Sequence, residues 1–269
     1  MILVGVDGSR AGLDAVGWAA REAALRDVPL KVAHAMPRWA YETETGRYAE
    51  VAGWMREGGG SVLAAAEERA RREQPKITVE TAFLPDDPRA ALIAAAVDAE
   101  LLVVGSHGIG GFRGMLVGSV AHGVAGHAPC DVVVVRELPS LPRGEIVAGI
   151  DGSPASARVL EFAFAEARLR EARLRAVHAR TYAQPGPAAL DEVLQVTRQF
   201  AERYPDVALV DEMVHGHPVE VLRQAATGAD LLVAGSHGHG TFAGMVLGSV
   251  SQELLHQSPC PLAVVRSVR

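Results

Sequence analysis

The sequence predicts two α/β domains in tandem, each a five-stranded parallel sheet covered by helices on both faces, and three observations carry that expectation. Short apolar runs alternate with helix-periodic runs along the whole chain. A set of landmarks recurs at a domain-sized offset, and 269 residues suit two domains of ordinary size. Gly105-Ser106-His107-Gly108, nine residues, then Gly118-Ser119 returns as Gly235-Ser236-His237-Gly238, nine residues, then Gly248-Ser249. Pro88 and Cys130 return as Pro218 and Cys260 at the same offset of 130. Asp7-Gly8-Ser9 and His34 return as Asp151-Gly152-Ser153 and His178 at an offset of 144, so the first copy holds fourteen extra residues before Pro88. The expected domains are 1–136 and 144–269, joined by a linker at 137–143 that contains Pro139 and Pro142.

Residues 2–6 form a short apolar run closed by Asp-Gly-Ser and read as a buried strand. Residues 9–26 place Ala11, Ala15, Trp18, Ala19 and Ala23 at helical spacing. Ser9 and Ser153 are the expected N-caps of the first helix in each copy, with Pro154 at the first helical position. The second strands are 30–35 and 174–179. Residues 37–60 hold the extra material of the first copy, with Pro37, Trp39, Tyr41, Trp54 and Gly58-Gly59-Gly60. They read as a mobile loop with some helix at the carboxyl edge of the sheet, either a lid or a cover for the domain edge. Helices follow at 62–72 and 190–203, strands at 77–84 and 207–214, and helices from Pro88 and Pro218. Strands at 101–104 and 231–234 lead into the glycine loops, helices start near Gly118 and Gly248, and strands at 132–135 and 262–265 close the copies.

Composition narrows the function. A net charge of −6 without a basic stripe excludes a nucleic-acid partner, because duplex binding is driven by Lys and Arg on phosphates. No run reaches the roughly 18 apolar residues of a membrane span, and residues 1–7 lack a basic, signal-like start, so a cytoplasmic protein is expected. Two cysteines at matched positions fit a reducing compartment; both are expected to be small buried residues, forming neither a disulfide nor a metal site.

Each glycine pattern lies between a strand and a helix. Gly105 and Gly235 end a strand where the chain turns, and Gly108 and Gly238 permit close approach of a ligand. Gly118-Ser119 and Gly248-Ser249 sit at a helix start, where unpaired N–H groups and the helix dipole favour an anion. The pattern is neither the P-loop, since no lysine follows the last glycine, nor the dinucleotide fingerprint. Arg113 adds a cation to the first loop, whereas Thr241-Phe242-Ala243 adds none to the second. The alternative is that these glycines only close tight turns. His107 and His237 suit acid–base work by their pKa range, but no nucleophile or second base accompanies them, and they are read as non-catalytic. His215, His217, His237 and His239 lack Cys or carboxylate partners at metal-ligand spacing and read as solvated loop residues. Ligands of such sheets bind beyond the carboxyl ends of the strands where strand order reverses, so the first and fourth strands of each copy are expected to be neighbours.

Taken together, these residues resemble the universal stress protein family, in its tandem form and its ATP-binding branch, whose motif Gly-x-x-Gly-x9-Gly-Ser/Thr is matched in both halves. The resemblance implies Rossmann-like domains of strand order 3-2-1-4-5. It implies that Asp7 and Asp151 meet the ribose and that the backbone at Ala35 and Ala179 meets the adenine edge. Gly105, Gly108, Gly118, Ser119 and Val120, with Gly235, Gly238, Gly248, Ser249 and Val250, match the ribose-phosphate and phosphate contacts. It further implies pairing of the two halves through their last strands, a homo-oligomer, and a regulator that binds ATP, with or without Mg²⁺. A slow ATPase or nucleotide-processing enzyme and a non-binding scaffold are the alternatives.

Overall fold

The computed structural model describes residues 1–108, 117–136, 138, 142–180, 187–238 and 246–266, with the backbone alone at 187–194. Arg113, Thr241-Phe242-Ala243, His239 and most of the expected linker lie outside the described residues. The chain forms two compact units, Met1–Val135 and Arg136–Arg269.

The first unit runs β1 (Ile2–Gly5), α1 (Arg10–Arg26), β2 (Leu30–Met36), α2 (Arg38–Glu42), α3 (Ala49–Glu73), β3 (Val79–Pro85), α4 (Pro88–Ala95), β4 (Leu101–Gly105), α5 (Ser119–His127) and β5 (Asp131–Val135). Its strands pair in the order β3-β2-β1-β4-β5, all parallel. The second unit runs β6 (Glu145–Ile150), α6 (Ala155–Leu169), β7 (Arg173–Arg180), α7 (Pro187–Arg203), β8 (Leu209–His215), α8 (Pro218–Ala225), β9 (Leu231–Gly235), α9 (Ser249–Gln257) and β10 (Leu262–Val265). Its parallel order is β8-β7-β6-β9-β10. Both units have the 3-2-1-4-5 order, with strand order reversing between β1 and β4 and between β6 and β9.

Continuous apolar runs form the central strands because both faces are covered. Ile2, Leu3 and Val4 on β1, and Leu101, Leu102 and Val103 on β4, are 0% exposed. Full burial of each such side chain stabilises the fold by about 1.5–3 kcal/mol. Helix α1 packs beside α3 and α4 beside α5, giving the two helical layers. A glycine in each first strand admits a leucine from the covering helix: a Cβ on Gly5 would stand 2.7 Å from Leu92 Cδ1, and one on Gly149 2.7 Å from Leu222 Cδ1.

Three expectations need correction. The segment expected as a loop at 37–60 is largely helical, as α2 and the first half of the 25-residue α3. Arg56 ties the two helices together by donating to the carbonyls of Ala40 and Thr43. Gly58-Gly59-Gly60 lies inside α3, and the reason is packing. A Cβ on Gly59 would stand 2.8 Å from Phe83 Cε1 and 2.9 Å from His34 Cδ2, so glycine lets the helix approach the ends of β2 and β3. Second, Ser9 does cap α1, accepting from Gly12 N at 3.1 Å, but Ser153 caps nothing. Helix α6 starts after Pro154, and the hydroxyl of Ser156, inside the helix, accepts from the N–H groups of Asp151 and Gly152 instead. Third, Cys260 is buried but Cys130 is only half-buried.

Two outcomes follow from this packing. Gly58 and Gly60 have no atom within 4 Å of a Cβ position. Gly58→Ala and Gly60→Ala should therefore each raise stability in urea unfolding by up to ~1 kcal/mol, the ordinary helix gain. Gly59→Ala should lower it by ~1–3 kcal/mol through overpacking. Burial pushes the Cys260 thiol up to about 12. At pH 8 it then stays protonated while folded, and a thiol reagent should label Cys130 first, with Cys260 reacting only as the protein unfolds.

Candidate functional site

In the second unit the carboxyl ends of β6, β7 and β9 and the start of α9 enclose a cavity of about 400 Å³. That is the size of a small-molecule site. All seven residues singled out from the second copy line it: Asp151, Ala179, Gly235, Gly238, Gly248, Ser249 and Val250. Ile150, Val159, Val177, Pro218 and Leu222 add an apolar wall, and Ser153, Ser156, His237 and Ser251 add polar groups.

The parallel sheet brings these residues together because β6 and β9 are neighbours that both end at this edge. Asp151, just beyond β6, is oriented by its own loop: Oδ1 accepts from Ser153 N at 2.9 Å and from Ser156 Oγ at 3.0 Å. Its other oxygen, Oδ2, lies against Gly238, where any Cβ would overlap it. Gly248 N donates to Ser236 O at 2.8 Å, which draws the start of α9 onto the glycine loop. Gly248 has no side-chain cap to offer α9, and the first N–H groups of a helix, here those of Ser249, Val250 and Ser251, have no intrahelical acceptor. These three residues line the cavity, so the positive end of the helix dipole lies at its wall, an arrangement that suits an anion.

The first unit repeats the design. Asp7 Oδ1 accepts from Ser9 N at 3.0 Å, and a Cβ on Gly108 would overlap Asp7 Oδ2. Gly118 N donates to Ser106 O at 2.7 Å, and α5 begins at Ser119 and Val120, with no side-chain cap from Gly118. Asp7, Gly105, Gly108 and Gly118 are thus brought together. Ala35 stands near the end of the adjacent β2, paired in register with Leu84 of β3. Gly105 ends β4 under the first turn of α1, since a Cβ there would stand 2.7 Å from the Ala11 carbonyl.

Several contributors escaped the sequence reading. Ser106 and Ser236 are 1% exposed, and their hydroxyls hydrogen-bond to Nδ1 of His107 (2.8 Å) and His237 (3.2 Å), fixing the histidine rings. Their recurrence inside both glycine patterns was the available signal. Ser251 donates to the Gly235 carbonyl and joins α9 to the end of β9. The first copy has Ala121 at that place, so no repeat signalled it. His215 ends β8 and His217 precedes α8. Among the described residues no group of three or more His, Cys, Asp or Glu is placed to hold a metal, and no helix is long and apolar enough to cross a membrane.

Comparison with known proteins agrees with this architecture. A universal stress protein of Mycobacterium tuberculosis is 35% identical over 285 residues, covering 98% of this chain and 96% of its own. A universal stress protein of Mycolicibacterium smegmatis is 34% identical over 296 residues, with the same coverage of 98% and 96%. Among solved structures, a universal stress protein from Archaeoglobus fulgidus superposes with a TM-score of 0.79 at 21% identity, covering 98% of this chain and 97% of its own, a likeness of fold. The sequence model of the universal stress protein family matches residues 1–136 and again 143–266. The chain therefore belongs to the universal stress protein family, in its tandem two-domain form.

Proposed function

We propose that the chain is an ATP-binding regulator of the stress response with one adenine-nucleotide site at the carboxyl edge of each sheet. The observation that carries this reading is the cavity of the second unit, which joins an apolar wall to an uncapped helix start. A nucleotide has the same two-part character, an apolar base and a polyanionic tail. In this reading the base lies near Ala179, the sugar hydroxyls meet the acceptor Asp151, and the phosphates meet Gly235, Gly238, Gly248, Ser249 and Val250. Ala35, Asp7, Gly105, Gly108, Gly118, Ser119 and Val120 take the same parts in the first unit. The donor set fits such a ligand, being built from backbone N–H groups and hydroxyls, with the carboxylate assigned to the sugar. Mg²⁺ would arrive on the phosphates, held by nucleotide and water.

The proposal is for a regulator and not an enzyme because the serine paired with Nδ1 of each glycine-loop histidine is buried, 1% exposed, and so orders the loop rather than presenting a nucleophile. Assembly into homo-oligomers and action in the cytoplasm belong to the same proposal.

Calorimetry on nucleotide-stripped protein tests it, with released phosphate followed in parallel. The expected result is about two ATP per chain, halved by Asp7→Ala or by Asp151→Ala, with little phosphate released. Absence of binding would return the glycine loops to plain turns, and turnover lost with His237→Ala would favour an enzyme. A second variant separates fold from binding. Gly248 has ordinary extended dihedrals, φ −64° and ψ 149°, and a Cβ there would stand 3.5 Å from its nearest neighbour, His237 Cα. Gly248→Ala should keep its thermal midpoint yet weaken ATP binding at the second site roughly tenfold, the loss expected when about one hydrogen bond to a charged group is disturbed.

A further inference from the structure

The two sites are built differently beside their aspartates. At the offset of 144 that relates the copies, Ser156 stands where the first copy has Gly12, and Ser153 where it has Ser9. In the first unit the loop serine serves the helix: Ser9 Oγ accepts from Gly12 N. In the second the helix serine serves the loop: Ser156 Oγ accepts from the N–H groups of Asp151 and Gly152 and donates to Asp151 Oδ1.

Two consequences follow. Ser153 is released from capping; it is 7% exposed, its hydroxyl makes no hydrogen bond, and it lines the cavity beside Asp151. The oxygen itself is covered as it stands, and a turn about χ1 lets this unpaired hydroxyl meet a ligand atom, which gives the wall a donor next to the carboxylate. The first turn of the helix also stands further from the fourth strand. A Cβ on Gly105 would meet the Ala11 carbonyl at 2.7 Å, whereas around Gly235 the nearest atom of α6 is Val159 Cγ2 at 3.4 Å, with Ala155 Cβ at 3.8 Å. Asp151 is therefore held by two donors on one oxygen, in a more open crevice, with a second hydrogen-bonding group beside it.

We infer that Ser156 is a positioning residue and Ser153 a ligand contact that together make the second site read the hydroxyls of a ribose more strictly than the first. This rests on the nucleotide reading above. The pair recognises a vicinal diol: one hydroxyl donates to the Asp151 carboxylate and its neighbour accepts from Ser153.

The test uses the full chain with one site silenced at a time. Asp7→Ala leaves the second site and Asp151→Ala the first, and each is titrated with ATP, 2′-deoxyATP and 3′-deoxyATP. The second site should lose roughly tenfold or more in affinity on removal of one sugar hydroxyl, and the first site at least about threefold less than that, in line with one more directed hydrogen bond. Adding Ser156→Ala or Ser153→Ala to Asp7→Ala should bring the deoxy penalty down to that of the first site, while Ser156→Thr, which keeps the hydroxyl, should retain it. Equal penalties at the two sites would overturn the inference and leave the nucleotide reading standing. So would Ser156→Ala weakening ATP and its deoxy analogues by one common factor, the sign of a merely structural role. Failure of the unsubstituted chain to bind ATP would overturn both. Ser153→Ala and Ser156→Thr keep the question decidable should Ser156→Ala fail to fold.

Discussion

The carboxylate that follows the first strand of each unit lies against the second glycine of the loop after the fourth, and the rest of each site is arranged around that contact. Asp7 Oδ2 meets Gly108 and Asp151 Oδ2 meets Gly238, each too closely for any side chain larger than hydrogen. The contact is available because β1 and β4, and β6 and β9, are parallel neighbours that end together. Their chains then part to opposite helical layers, which opens the crevice between them. Each aspartate in turn is fixed by the backbone N–H of the serine two residues on. Backbone geometry thus sets the acceptor before any ligand arrives, which lowers the ordering cost of binding.

Around that shared contact the copies have gone separate ways. The first unit closes tightly, with the Ala11 backbone over Gly105 and a long α3 whose Val62 Cγ2 would lie 3.0 Å from a Cβ on Gly8. The second unit is looser at the same place, where Pro154 stands for Arg10 and Ser156 for Gly12. The helix start, the carboxylate environment and the neighbouring hydroxyl therefore differ together between the copies.

The adjacency of the first and fourth strands, the helix starts at Pro88, Pro218, Gly118 and Gly248, and the gathering of the second copy's candidate residues were legible in the motifs, whereas the full strand order came with the family resemblance. Apolar runs long enough for a strand, closed by Asp-Gly-Ser or by glycine, leave little freedom in placing a parallel sheet. Among the features that were not legible, two have a clear physical reason. Gly58-Gly59-Gly60 carries the composition of a loop, and only the distance from Gly59 to Phe83 and His34 explains a helix there. Ser153 carries the composition of a cap, but the N–H it would cap, that of Ser156, donates to the Ser153 backbone carbonyl at 2.9 Å instead of to its hydroxyl. Local propensity was overruled by tertiary packing in the first case and by a backbone hydrogen bond of the turn before the helix in the second.

The cavity walls come from chain segments far apart in sequence, from Gly149 to Ser251 within one unit. No such surface exists in an unfolded chain, so any occupant of the cavity would bind the native unit alone and stabilise it by RT ln(1 + L/Kd), with L its free concentration. Under the proposed function, the lifetime of the protein against proteolysis would be coupled to supply of that occupant, and the abundance of the chain would record it.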